Sequence, residues 1–156
     1  RWNDVVDADD EVWLLGDACM GRLDEPLPLL GRLQGRVVLV PGNHDRVWAG
    51  DHRRDQWWDR YADAGIDEIV DGTTTVELPD GTVVDADHFP YEGDSGDHDR
   101  HQAERPVDQG RVLLHGHVHS RWRTNGRMIN VGIDVWDHAP VPEPRVVELV
   151  VAALTA

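Results

Sequence analysis

Three histidines fall within five positions of the stretch RVLLHGHVHS (111–120): His115, His117 and His119, directly after the apolar run Val112–Leu114. Side chains alternate across a strand, so an i, i+2 pair shares one face, with Cα atoms roughly 6.5 Å apart. A strand running on to 119 would line one side with titratable, metal-ligating imidazoles. Related chemistry follows other Val/Leu runs. Val12–Leu15 leads into Gly16-Asp17, Val37–Val40 into Pro41-Gly42-Asn43-His44-Asp45, and Val83-Val84 towards His88-Phe89-Pro90. Carboxylate, amide oxygen and imidazole are ligands for first-row transition metals, and no cysteine cluster competes. The set holds too many imidazoles for a magnesium or calcium cage, which wants oxygens. A carboxylate such as Asp17 can bridge two ions about 3.5–4 Å apart, the spacing of two-metal hydrolases, and His117 and His119 can each reach a different ion.

The elements that must position these groups are readable in outline. Continuous Val/Leu runs of about four suit strands buried on both faces, as in layered α/β folds, where ligand sites gather at the carboxyl ends of strands. The spacing predicts helices over 24–35, with Asp24 as N-cap and Gly35 as stop, and over 55–65, with Asp55 as N-cap. In the second of these, Trp57, Trp58 and Tyr61 serve helix packing. A hairpin joins Thr73–Leu78 to Thr82–Asp85 through Pro79-Asp80-Gly81. A further strand is expected over 128–136 and a helix over the PEPRVVELVVAAL segment. Segment 91–110 has no periodicity and reads as a mobile surface loop. No repeat or domain-sized linker divides the 156 residues, which read as a single domain, 1–156. The opening RWNDVVDADDEVW lacks a methionine and resembles the last turn of a helix, as though an earlier part of the chain were missing.

Taken together, GD at 16–17, GNHD at 42–45, His88 before Phe-Pro and GHVH at 116–119 resemble the calcineurin-like metallophosphoesterases, in that family's order and each after a strand. VGIDVWD (131–137) resembles the tail of its small bacterial and phage members. The resemblance implies a layered α/β fold with sheets flanked by helices. It also implies two divalent transition-metal ions, drawn from manganese, iron, zinc, nickel and cobalt. Asp17 then corresponds to the bridging carboxylate, Asn43, His88 and His117 to the remaining ligands of the second metal, and His119 to a ligand of the first. His44 corresponds to the group that contacts the phosphoryl oxygen and helps the leaving oxygen depart, and Asp45 to the partner orienting that imidazole. The implied reaction is hydrolysis of phosphomonoesters or phosphodiesters by a metal-bridged hydroxide, on a small phosphate ester or nucleotide. The family's first motif, Asp-x-His after its first strand, has no counterpart before residue 12. Asp99-Arg100-His101, the one Asp-x-His in the chain, lies in the polar loop. The first strand is therefore expected to be missing, leaving one metal site complete and the other half built. A non-catalytic scaffold of the same fold, or simple metal binding, is the alternative.

The remaining histidines have plainer roles: His115 as a strand-end residue bonded to backbone, and His52, His98, His101 and His138 facing solvent. The formal charge of −15 argues against non-specific binding to nucleic acid or anionic membranes. The longest apolar stretch, Val146–Leu154, is short and interrupted by Glu148, so no secretion signal or membrane span is read. The single cysteine, Cys19, excludes an internal disulfide, reads as a small core residue and suits a reducing compartment, which together predict a cytoplasmic protein.

Overall fold

The first two Val/Leu runs pair side by side. In the computed structural model, which describes residues 1–155, β1 (Glu11–Leu14) lies parallel to β2 (Arg36–Leu39), with Val12 opposite Val37 and Leu14 opposite Leu39. A two-residue strand, β3 (Glu68–Ile69), adds in parallel on the other side of β2. β2 is thus central, and Val37, Val38 and Leu39 are buried, as a strand covered on both faces requires. Around it pack Leu23, Leu27, Leu30, Val47, Tyr61 and Ile66. These elements belong to one compact unit, Arg1–Gly72.

The two helices expected in this unit are shorter than their patterns. Over 24–35 the chain forms a 3-10 segment, Leu27–Arg32. Pro26 and Pro28 lack the amide donors an α-helix needs, so the apolar stripe is kept by a tighter winding. Over 55–65, a 3-10 turn (Arg54–Gln56) is followed by α1 (Trp58–Asp63), and Asp55 lies inside the turn rather than capping it. Gly65 ends α1 at φ 102, where a Cβ would come within 2.9 Å of the Gly31 Cα.

The second unit starts at Thr73. Its hairpin is as expected: β4 (Thr74–Glu77) pairs antiparallel with β5 (Val83–Ala86), Val76 opposite Val84. β5 runs parallel to β6 (Leu113–His115), and β6 parallel to β8 (Met128–Asn130). β7 (Thr124–Asn125) closes the edge antiparallel to β8. The order β4-β5-β6-β8-β7 places β6 in the middle, wholly buried. The strand expected over 128–136 stops at Asn130 and gives way to a 3-10 turn, Ile133–Val135. The C-terminal helix, α2 (Glu143–Thr155), buries Val146 and Val150. Two sheets with few helices make this a mixed α/β protein. Among the described residues, no helix is long and apolar enough to cross a membrane.

Segment 91–110 carries no strand or helix, but it is fastened rather than loose. Buried Asp94 accepts the Arg100 N–H (2.9 Å), the Gly96 N–H (3.3 Å) and the Arg100 guanidinium (2.8 Å). Arg105 donates to the carbonyls of Gly93 (2.9 Å) and Arg100 (3.0 Å) and to the Asp99 carboxylate. Side chains here supply the order that periodicity does not announce.

Candidate metal centre

In the first unit, β1 runs into Gly16 and Asp17, both left-handed at φ 85 and 54. Two such residues in succession swing the chain sharply out of the strand. Asp17 Oδ1 accepts the His44 N–H at 3.0 Å, so this loop meets the GNHD loop that follows β2. Asp45, 1% exposed, ties the two together. Its oxygens accept the N–H groups of Asp17 (2.7 Å), Ala18 (3.1 Å) and Gly42 (2.9 Å), and the Tyr61 hydroxyl (3.2 Å). Burial pushes the Asp45 carboxyl up to about 6; the Gly42 amide opposes this, the Asp17 charge adds to it, and the Asp17 amide and Tyr61 hydroxyl oppose it.

One expectation changes here. The resemblance makes Asp45 the partner that orients His44, yet its donors in this structure are backbone amides and Tyr61. With four donors gathered on one carboxylate, Asp45 shapes both loops, while the His44 side chain stands exposed and Asn43 half-buried. Cys19 is core, as expected, and its thiol is pushed up to about 11 by burial and by the charge of Asp45.

In the second unit, β5 continues through Asp87 into His88. Asp87 accepts the Phe89 N–H (2.8 Å) and the Thr73 hydroxyl (2.6 Å), and the Gly116 N–H donates to the His88 carbonyl (3.1 Å). These contacts bring His88 against the loop after β6. His88 Nε2 lies 3.2 Å from His117 Nδ1, with the rings edge-on at 78° and both residues buried. Phe89 packs on the His117 ring at 4.9 Å between centroids.

The three histidines of 115–119 do not share a strand face. β6 ends at His115, and both His117 (φ 62) and His119 (φ 50) are left-handed, which breaks the alternation. His117 turns inward. His119 is half exposed, with Asp134 3.9 Å away. His115 behaves as expected of a strand-end histidine: Nδ1 faces the Gly116 carbonyl at 2.8 Å, so that nitrogen carries the proton. Its Nε2 is buried without a hydrogen-bond partner among the described residues. Burial pushes this imidazole down to about 4, against the Gly116 carbonyl and with help from the nearby His88 and His117.

Asp94 and Asn130, absent from the sequence reading, and His101, read there as solvent-facing, matter to this arrangement. Asp94 Oδ1 lies 3.5 Å from His117 Nε2, at the ring edge opposite His88. Its signal was hidden in a segment without periodicity. Asn130, fully buried, donates to the carbonyls of His119 (2.7 Å) and Trp122 (2.8 Å) and accepts the Gly132 N–H (2.9 Å), fixing the turn after His117. His101 is half-buried rather than solvent-facing, and its ring stands edge-on to His117 at 5.6 Å. Asp99 instead pairs with Arg105, so Asp99 and His101 do not converge as an Asp-x-His ligand pair. His52, His98 and His138 are exposed, as expected. Among the described residues, no group of three or more His, Cys, Asp and Glu side chains is arranged to hold one ion.

A mixed α/β protein with polar and titratable side chains at its strand exits is thus the class defined by the fold. No family model matches the chain. The Gene 66 protein of Mycobacterium phage D29 is 37% identical over 168 residues, spanning 96% of this chain and 79% of that protein. The Gene 66 protein of Mycobacterium phage L5 is 35% identical over 150 residues, spanning 86% and 70%. The chain belongs to the family of these phage Gene 66 proteins. Among solved structures, the protein of unknown function AQ665 from Aquifex aeolicus is similar, with a TM-score of 0.66 and 25% identity, covering 94% of this chain and 79% of that one.

Proposed function

We propose that this protein is a metal-dependent phosphoesterase, hydrolysing phosphomonoester or phosphodiester bonds of a small molecule or nucleotide. The observation that carries the reading is the His88–His117 pair. Two ring nitrogens 3.2 Å apart match two ligands at about 2.1 Å from a shared ion, subtending about 100° there. A tetrahedral or octahedral site accepts that angle. Left-handed backbone at Asp17 and His117 supports the reading, since non-glycine residues hold it at a cost of about 1–3 kcal/mol and cluster at functional sites.

In this reading His88 and His117 are ligands, and the ligand roles of Asp17, Asn43 and His119 are those the resemblance implies. Divalent transition metals would supply a nucleophile at neutral pH and neutralise the phosphoryl oxygens. The chain's own share is positional. Asp45 holds the loops that present Asp17 and Asn43, and the exposed imidazole of His44 is free to donate to a leaving oxygen. Buried Phe89 keeps water from one flank of the imidazole pair. A second reading, a scaffold of the same fold without turnover, draws on the absence, among the described residues, of three or more His, Cys, Asp and Glu side chains arranged to hold one ion.

The test is hydrolysis of bis(p-nitrophenyl) phosphate in excess manganese by wild type, His117→Ala and His52→Ala. The reading expects turnover by wild type, at least a hundredfold loss in His117→Ala, and no change in His52→Ala, whose side chain is exposed. Bound manganese without turnover would favour the scaffold, and equal rates for all three proteins would refute the assignment.

A further inference from the structure

His117 is held from both edges. Nδ1 faces His88, and Nε2 faces the carboxylate of Asp94 at 3.5 Å. That carboxylate is itself 1% exposed and anchored: the Arg100 guanidinium, the amides of Arg100 and Gly96 and the Ser95 hydroxyl all donate to it. A buried carboxylate paired with the Arg100 guanidinium and set at one ring nitrogen favours the proton on that nitrogen. The other nitrogen is then left with its lone pair, aimed towards His88. This is the arrangement by which a carboxylate fixes the tautomer and orientation of a metal-binding histidine and strengthens it as a donor.

We infer that Asp94, clamped by Arg100, is a positioning residue that sets the tautomer and ring orientation of His117 for metal binding. The inference rests on the phosphoesterase reading only in taking His117 as a ligand. It gives the aperiodic segment 91–110 a purpose: its cross-links deliver one carboxylate to one imidazole. At 3.5 Å the contact is longer than a hydrogen bond. A shift of a few tenths of an ångström would bring it into hydrogen-bonding range.

The test measures manganese affinity by chelator competition in wild type, His117→Ala, Asp94→Asn, Asp94→Glu and Arg100→Gln. Long-range ¹H–¹⁵N spectra of the metal-free proteins report the His117 tautomer. Wild type should bind manganese and show the Nε2–H form, and His117→Ala should bind at least a hundredfold more weakly. Asp94→Asn should weaken binding about 10–100-fold and Asp94→Glu recover part of that loss, a rescue that a merely structural role would not give. If Asp94→Asn does not fold, Arg100→Gln carries the test, with a smaller loss and a mixed His117 tautomer. Manganese affinity and tautomer unchanged in Asp94→Asn, or in Arg100→Gln where that variant stands in, would overturn the positioning role while leaving the metal reading intact. No binding by wild type would overturn both, and would be recognised by wild type and His117→Ala behaving alike.

Discussion

Asp45 and Asn130 are each a single polar side chain that replaces several missing backbone partners. Asp45 takes four donors from two loops and Tyr61, and Asn130 takes two carbonyls of the turn after His117 and the Gly132 N–H beyond β8. Loops at strand exits leave backbone groups without ladder partners, and burying those groups unsatisfied costs about 1–3 kcal/mol each. Tyr61 extends the Asp45 network, donating to its carboxylate and accepting the Arg46 N–H at 3.2 Å. Tyr61→Phe keeps the ring and removes both bonds, leaving a buried carboxylate one donor short. The expected loss is about 1–2 kcal/mol, read as a lower urea midpoint at unchanged m-value. A midpoint within error of wild type would show that water replaces the hydroxyl without cost.

At the scale of elements, Gly31 and Gly65 let the 3-10 segment Leu27–Arg32 and the end of α1 touch backbone to backbone. A Cβ on Gly65 would lie 2.9 Å from the Gly31 Cα, at a φ of 102 that only glycine holds comfortably. Gly65→Ala is therefore expected to destabilise the protein by at least about 2 kcal/mol, several times the usual effect of a surface substitution. A thermal melt measures it, and an unchanged Tm would mean the two segments part easily. The same elements show what was legible in the sequence. The Val/Leu runs named β1, β2 and β6, and Pro79-Asp80-Gly81 named the hairpin, because apolar runs and turn residues are local signals. The prolines at 26 and 28 were visible too, but early prolines also suit a helix start, so a helix was expected where a 3-10 segment forms. β3 and β7, at two residues each, carry no period at all; they exist through pairing with β2 and β8. For the site, residue types at strand exits were enough to nominate Asp17, Asn43, His88 and His117. The left-handed backbone at His117 and His119 was not legible, since it leaves no pattern in the sequence. Asp94 was hidden for the converse reason: its order comes from side-chain bonds across its own loop.

For the whole molecule, acidification acts on buried groups of opposite kind. His115 falls from its ordinary 6.5 to about 4 in the fold. Its stabilising contribution is complete above the unfolded value and is lost as pH drops through 4, by up to about 3 kcal/mol. Asp45 rises from 3.8 to about 6, so its contribution has the opposite sign: present below 3.8 and lost as pH rises through 6. His115→Asn keeps a donor for the Gly116 carbonyl and removes the titration. In chelator-treated protein, the Tm of wild type should fall more steeply than that of His115→Asn between pH 6.5 and 4. Parallel falls would show that His115 is protonated in the fold. The net charge of −15 bears on partners in the same way: a polyanion is repelled, so retention of random duplex DNA at low salt is not expected.

The central claim is that the nitrogens of His88 and His117 hold one transition-metal ion. Anomalous diffraction from crystals grown with manganese, collected on both sides of the metal edge, addresses it without any assay of turnover. The account predicts a peak bridging His88 Nε2 and His117 Nδ1, about 2.1–2.3 Å from each, with Asp94 drawn to within hydrogen-bonding distance of His117 Nε2. Crystals soaked at millimolar manganese that show no anomalous density at this pair, with the two nitrogens still in direct contact, would contradict it.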